Sequence, residues 1–153
     1  MSIEIQDLIQ LYNNYNKLYF NSRLPKVNRI TFEWTNNKQS IGSCGRDTIN
    51  TFTIKLSKPY HSFFPDELGD TLLHEMIHLR VSNHSKKFYD EMKRIQSLGG
   101  NVHRYTQHSL RDELARYCFE CECCHKQSKS FRNVDIDKYN CRCGGKLIRM
   151  NNG

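Results

Sequence analysis

Three histidines and one glutamate lie within the stretch LLHEMIHLRVSNHSKKF, residues 72–88. His74 and His78 are four residues apart, so a helix presents both imidazoles on one face to a single cation about 2 Å from each. Glu75, beside the first histidine, is placed to accept a proton from water activated by that metal. This H-E-x-x-H pattern is typical of zinc peptidases and predicts peptide-bond hydrolysis.

The alternative to a metal site is a chance match to this pattern on a helix with surface histidines. Apolar residues surround the motif and predict that its helix is buried, where histidines without partners are costly. These residues are Leu72, Leu73, Met76 and Ile77. The sequence therefore favours a metal site over the chance match.

A catalytic zinc requires a third protein ligand and one open coordination position. His84 is the favoured ligand, and an uninterrupted helix would carry it about 15 Å along the axis from His74. The helix must therefore end between them. Asn83 tolerates the left-handed conformation that ends helices, and Ser85 can cap the following helix. The alternative ligands are His103, His108 and a carboxylate.

Six of the seven cysteines lie between residues 118 and 143. In a reducing compartment this clustering indicates metal ligation rather than disulfides. We expect two pairs of thiolates to hold one structural zinc in a small ribbon: Cys121 with Cys124, and Cys141 with Cys143. The competing ligands are Cys118, Cys123 and His125, and the main rival is a redox role. Cys44 is interpreted as a small buried side chain.

Basic and aromatic residues lie between the two cysteine pairs of the ribbon. They are Lys126, Lys129, Phe131, Arg132 and Lys138. Such a surface suits contact with nucleic acid, and an exposed Phe131 would favour single-stranded DNA by stacking on bases. Phe131 can equally serve as the core of the ribbon. The net charge of +7 favours a polyanionic partner, although a basic surface kept for solubility is an equal alternative on charge alone.

The apolar periodicity predicts the elements that position these residues. A helix is expected over 3–20, followed by strands at ITFEW and TFTIKL with a short strand at SIGSCG between them. The motif helix begins near 65–67 and a further helix covers 85–98. The segment 101–117 predicts at most two helical turns, and His61 is assigned to a loop or pocket. The fold class is α+β, with helices packed on a small, mostly antiparallel sheet.

Length and the N-terminal sequence limit the class of protein. The 153 residues suffice for one domain and a small appendage, which we place at 1–117 and 118–153. MSIEIQDLIQ is acidic and has no continuous apolar run, so it predicts neither a secretory signal nor a membrane span. We therefore expect an intracellular monomer, cytoplasmic or nuclear, that does not act on a membrane.

Several motifs together resemble the SprT-like, or Spartan-type, zinc metalloprotease domains. They are YFNSRLP, TFTIKLS, LLHEMIH, HSKKF and YNCRCGGKL. The resemblance implies a zincin-like fold, zinc held by His74, His78 and His84, and Glu75 as general base or acid. The link between the second and third histidines is shorter than is usual in that family, and residue 85 is Ser where the family typically has Gly.

The residues predict an intracellular zinc endopeptidase with one catalytic and one structural zinc. The resemblance implies its substrate: proteins bound or crosslinked to DNA, and hence a role in DNA repair. The alternative is a nucleic-acid-binding or regulatory module in which zinc is structural and hydrolysis is absent. Glu75 separates the two functions, since a structural site does not need a carboxylate beside its metal.

Overall fold

The computed structural model describes residues 3–38, 40–104, 117–130 and 133–150. The chain divides into two compact units, Met1–Thr106 and Gln107–Gly153. The predicted mixture of helices and strands is confirmed in the described ranges. The predicted domain boundary between 117 and 118 stays a prediction. The helical turns predicted within 101–117 fall mostly outside the described residues.

The first unit begins with helix α1, Ile5–Phe20. Its buried residues, Leu8, Tyr12, Asn16 and Phe20, recur every four positions along one stripe. The helix ends because Asn21 adopts a left-handed conformation with φ of 52°. The side chain of Asn16 accepts a hydrogen bond from the backbone N–H of Leu24 at 3.1 Å, which fixes the chain as it leaves the helix.

The sheet of the first unit contains β1 (Ile30–Thr35), β2 (Gly42–Arg46) and β3 (Phe52–Ser57) in the order β1-β3-β2. The strand predicted at SIGSCG is thus present as β2. β2 pairs antiparallel with β3, whereas β1 pairs parallel with it. The prediction of a mostly antiparallel sheet is wrong: the sheet is mixed, because the chain reverses direction twice between β1 and β3. β2 is left as an edge strand.

Helices follow the sheet directly. Lys58–Phe63 forms α2, a helix that was not predicted from the sequence. A 3-10 turn over Pro65–Glu67 leads into α3, Leu68–His78, so the motif helix begins close to its predicted start. Helix α4 covers Lys86–Ser97, within one residue of its predicted bounds at each end.

The core of the first unit lies between α1, α3 and the sheet. Leu72, Met76 and Ile77 of α3 are fully buried there, together with Ile54 and Leu56 of β3. Burial of side chains this size stabilises the fold by about 1.5–3 kcal/mol each. Because α3 is central, the polar residues on its remaining face are held rigidly.

The second unit contains β4 (Tyr117–Cys121), β5 (Gln127–Ser130) and β6 (Leu147–Met150). They form an antiparallel sheet in the order β5-β4-β6. Among the described residues of this unit, the buried apolar side chains are Cys118, Phe119 and Cys121 of β4. Among the helices of the described ranges, none has the length and apolar character that crossing a membrane requires.

Candidate active site and metal centres

The structure brings His74, His78 and His84 together. The Nε2 atom of His74 lies 3.2 Å from Nε2 of His78 and 3.1 Å from Nε2 of His84. Three nitrogens that each ligate a tetrahedral zinc at about 2.1 Å lie roughly 3.4 Å from one another. The spacing of the three imidazoles therefore fits one zinc ion, with room for a fourth ligand.

His84 reaches the other two histidines because α3 ends at His78. Backbone N–H groups of Arg80 and Val81 both donate to the carbonyl of Ile77 at 2.9 Å, which closes the last turn tightly. The expectation that Asn83 ends the helix in a left-handed conformation is wrong. Among described non-glycine residues, a positive φ occurs at Asn21, Ser22 and His125. The reversal is made instead by the tight turn and the bends that precede α4.

Backbone carbonyls fix the orientation of two of the rings. His74 Nδ1 lies 2.9 Å from the carbonyl of His103, and His78 Nδ1 lies 2.8 Å from the carbonyl of Val81. A carbonyl only accepts, so each Nδ1 donates its hydrogen and each Nε2 keeps the lone pair that binds metal. Burial lowers the pKa of His74, which favours the neutral ring that ligation requires.

Phe88 of α4 forms an apolar floor beneath the three rings. Its side chain is fully buried, and its ring centroid lies 4.9 Å from those of His74 and His78 and 4.8 Å from that of His84. This contact ties the histidines to α4 as well as α3.

Glu75 is the buried acid of the site. It is 4% exposed, and its Oε2 is the one buried side-chain polar atom in the described part of the chain without a hydrogen-bond partner. Burial raises the pKa of Glu75 to about 7. A buried carboxyl oxygen without a partner is costly to a fold and is typical of groups that exchange protons with a substrate.

A pocket of about 390 Å³ adjoins His78. It lies between the edge strand β2 and the end of α3, and Cys44, Arg46 and Arg80 contribute to its lining. Cys44 is half-buried, and its pKa is raised to about 12 by burial first and the nearby Glu75 carboxylate second. Cys44 therefore remains a neutral thiol in the wall of this pocket.

His103 and His61 lie outside this group of three histidines. His103, weighed as a metal ligand, contacts Asp70 instead and contributes its backbone carbonyl to the site. His61, expected in a loop or pocket, lies buried in α2 between Ser57 and Thr71. His108, another alternative ligand, lies outside the described residues.

The second unit gathers Cys121, Cys124, Cys141 and Cys143. Sγ of Cys121 lies 3.4 Å from Sγ of Cys143, and Sγ of Cys124 lies 3.7 Å from Sγ of Cys141. Thiolates that ligate a tetrahedral zinc at about 2.3 Å lie roughly 3.8 Å apart. The competing ligands Cys118, Cys123 and His125 are not part of this group of four.

Two local features favour a metal at these cysteines. Backbone N–H groups of Cys124 and Cys123 lie 3.5 Å and 3.4 Å from Sγ of Cys121, and these hydrogen bonds lower its pKa to about 6. Gly145 has no side chain, and this leaves space for the sulfur atoms. A Cβ at this position would lie 2.5 Å from Sγ of Cys121. Hydrogen bonds with the neighbouring thiols raise the pKa of Cys124, so the lowered pKa belongs to Cys121 alone. The four gathered sulfurs and the close approach of the chain fit zinc.

Of the residues predicted to contact nucleic acid, Lys126, Lys129 and Lys138 are exposed on the second unit. Phe131 and Arg132 lie outside the described residues. Asp70 and the two carbonyls that orient His74 and His78 were not predicted from the sequence. Asp70 could have been found, because it lies one helical turn before His74 on the same face of α3. The carbonyls carry no signal in the sequence.

The model of the SprT-like family matches residues 8–108 of this chain. A curated protein called "Protein SprT-like", from Geobacillus sp. (strain WCH70), is 29% identical over 117 residues, which cover 71% of this chain and 76% of that protein. "DNA-dependent metalloprotease SPRTN" from Rattus norvegicus is 40% identical over 89 residues. That match covers 49% of this chain but only 18% of the rat protein.

Proposed function

The chain belongs to the SprT-like family, and from that premise we propose that it is a zinc-dependent endopeptidase with a zincin-like fold, which acts on proteins bound or crosslinked to DNA. The observation that carries this proposal is the combination of three converging Nε2 atoms with a buried carboxyl group, one residue from the first histidine, whose Oε2 has no hydrogen-bond partner. The name of the rat relative, a DNA-dependent metalloprotease, supports the same class of reaction.

His74, His78 and His84 would hold the catalytic zinc. That ion would supply Lewis acidity that polarises the scissile carbonyl and lowers the pKa of the attacking water. Glu75 accepts the proton of that water and delivers it to the leaving amide nitrogen. A carboxyl group with a pKa near 7 suits both steps, because it gains and loses a proton with little cost near neutral pH.

The edge strand β2 would position the substrate. Its outer edge is unpaired within the sheet, so an extended peptide can add to it through main-chain hydrogen bonds. The pocket beside His78 lies at the end of this strand and would take a side chain of the bound peptide. A site that binds chiefly through main-chain groups accepts many sequences. This suits a peptidase whose substrates are selected by their location on DNA rather than by their sequence.

The second unit would hold a structural zinc through Cys121, Cys124, Cys141 and Cys143, and would bring the enzyme to DNA. The exposed lysines of this unit and the overall charge of +7 favour phosphate contacts. Phe131 and Arg132 are assigned to the same surface from the sequence alone. Reduced thiols in this number are typical of an intracellular protein, and we propose that the chain acts inside the cell as a monomer.

The second candidate is a nucleic-acid-binding or regulatory module without hydrolytic activity. The ribbon and its lysines favour binding, but they do not explain why Glu75 stays buried and unpaired. The two functions are separated by incubating the zinc-loaded chain with a protein crosslinked to DNA and with the same protein alone. We expect proteolytic fragments, formed faster on DNA. Binding to DNA without any fragment formation would favour the second candidate.

A further inference from the structure

The carbonyl that orients His74 is itself held by a carboxylate. Asp70 contacts His103 twice: one carboxylate oxygen accepts the backbone N–H of His103 at 2.8 Å. The other oxygen lies 2.8 Å from Nδ1 of the His103 ring. Both oxygens of one side chain therefore hold a single residue, through its main chain and its ring.

The geometry of α3 places these two contacts of Asp70 next to the metal site. Asp70 and His74 are four residues apart in α3, so the carboxylate and the imidazole lie one turn apart on the same face. The backbone of His103 spans the gap between them, with its N–H toward Asp70 and its carbonyl toward His74 Nδ1. The distance that the peptide must span is set by one turn of α3, whose residues Leu72, Met76 and Ile77 are buried in the core.

Val102, the residue before His103, is held in the fold independently of Asp70. Val102 is fully buried, and its carbonyl accepts a hydrogen bond from the side chain of Gln96 at 2.8 Å. Loss of the Asp70 carboxylate would therefore leave the segment attached to the fold. It would release only the peptide that faces His74.

We infer that Asp70 is a positioning residue for the candidate zinc site. It fixes the His103 carbonyl, which holds the His74 ring in the orientation that directs Nε2 at the metal. The inference rests on the proposed metal site at the three histidines. Partners of this kind, in contact with a ligand rather than with the metal, commonly contribute 10–100-fold to metal affinity.

The test measures zinc affinity of the full chain by competition with a chelator. His78→Ala gives the reference for zinc bound at the cysteines alone. Asp70→Ala is expected to weaken binding at the histidines by about 10–100-fold and to leave zinc at the cysteines unchanged. Asp90→Ala is the matched control, since Asp90 is an exposed acid on α4 and its loss changes the net charge equally.

Two further variants distinguish positioning through the carbonyl from a simple charge effect. His103→Ala removes the ring but keeps the backbone N–H and carbonyl, so its zinc affinity should stay close to that of the wild type. Asp70→Asn keeps an acceptor for the N–H, but a neutral amide oxygen accepts more weakly than a carboxylate oxygen, so its affinity should lie between those of the wild type and Asp70→Ala. With cobalt at saturation, Asp70→Ala should also alter the visible absorption of the histidine site, because the coordination geometry is changed.

Several results would overturn the inference. One is equal zinc affinity in Asp70→Ala and Asp90→Ala, with an unchanged cobalt spectrum. Another is a loss in His103→Ala as large as in Asp70→Ala, which would assign the effect to the ring. If Asp70→Ala loses zinc at both sites because it does not fold, Asp70→Asn against Asp90→Asn makes the same comparison. A wild type that binds zinc only at its cysteines would refute the proposed function itself.

Discussion

Nε2 of His84 lies 3.1 Å from Nε2 of His74, although ten positions separate the two residues in the sequence. The short distance between these two nitrogens predicts that the histidines bind a metal ion. The wild type should bind two zinc ions, and Ala at His74, His78 or His84 should remove about one while the cysteines keep theirs. Elemental analysis of the purified chain and the three variants measures this directly. Two zinc ions retained in His84→Ala would exclude His84 as the third ligand.

The ribbon should not tolerate a side chain at Gly145. A Cβ there would lie 2.5 Å from Sγ of Cys121 and 2.7 Å from Cβ of Cys123, so Gly145→Ala must displace a ligand or the chain. We expect a cost of about 1–3 kcal/mol and weaker zinc binding at the cysteines, with the histidine site unaffected.

Zinc content after dialysis against a mild chelator measures the effect of Gly145→Ala. Gly45→Ala is the control for the same substitution, because a Cβ at Gly45 meets no atom within 4 Å. Equal zinc retention in the two variants would contradict the tight packing around Cys121.

The buried imidazole of His61 predicts a pH dependence of stability. Burial lowers its pKa, and the Ser57 carbonyl and Glu67 only partly offset that effect. The folded state therefore favours the neutral ring. Its contribution to the free energy of unfolding is fully present above about pH 6.5, the ordinary pKa of an unfolded histidine. The contribution is lost as pH falls from there through the lower folded pKa.

The measurement compares unfolding of the wild type and His61→Gln in denaturant from pH 8 to pH 5. At pH 8 the wild type should be more stable by about 1–3 kcal/mol, since the variant disturbs the hydrogen bonds to Ser57 and Thr71. The difference should shrink below pH 6.5, where only the wild type must bury a charge at this position. A difference that stays constant with pH would mean that His61 titrates normally.

DNA binding by the second unit should depend steeply on salt. Each phosphate contact contributes about 0.9 to the slope of log affinity against log salt on duplex DNA. Ala at Lys126, Lys129 or Lys138 should lower that slope by about one when the lysine contacts a phosphate. Fluorescence anisotropy at several salt concentrations measures it. Lys17→Ala, on the exposed face of α1, is the control and should leave the slope unchanged.

Periodicity was sufficient to predict most elements, because the apolar residues of α1, α3 and α4 recur at helical spacing and those of β1 and β3 alternate. It did not predict α2, which is only six residues long and begins with Lys-Pro, a weak local signal. Strand direction was missed for another reason. β1 pairs with β3 rather than with β2, the next strand in the sequence, and the pairing is therefore parallel. Packing, rather than local sequence, decides which strand is the partner.

The candidate ligands follow from residue type and spacing, so the histidine and cysteine groups could be proposed before the structure. The contacts that orient them could not. His74 depends on the backbone carbonyl of His103, which lies 29 positions away. Every residue has such a carbonyl, so the sequence does not indicate which one is used. Only the folded chain shows which carbonyl is used, and hence why Asp70 is important.

Glu75→Gln gives the most direct test of catalysis. The amide has nearly the same shape as the carboxyl group, so the variant should fold and keep zinc at the histidines, but it cannot accept a proton from water. Hydrolysis should fall by at least about 100-fold, the usual contribution of a general acid–base group. Cleavage of a DNA-bound protein, measured alongside zinc content, reports both properties. Glu33→Gln makes the same chemical change at an exposed position of β1 and should cleave at the wild-type rate. If Glu75→Gln hydrolyses the substrate as fast as Glu33→Gln while both hold two zinc ions, Glu75 is not the proton acceptor and its buried, unpaired oxygen needs another explanation.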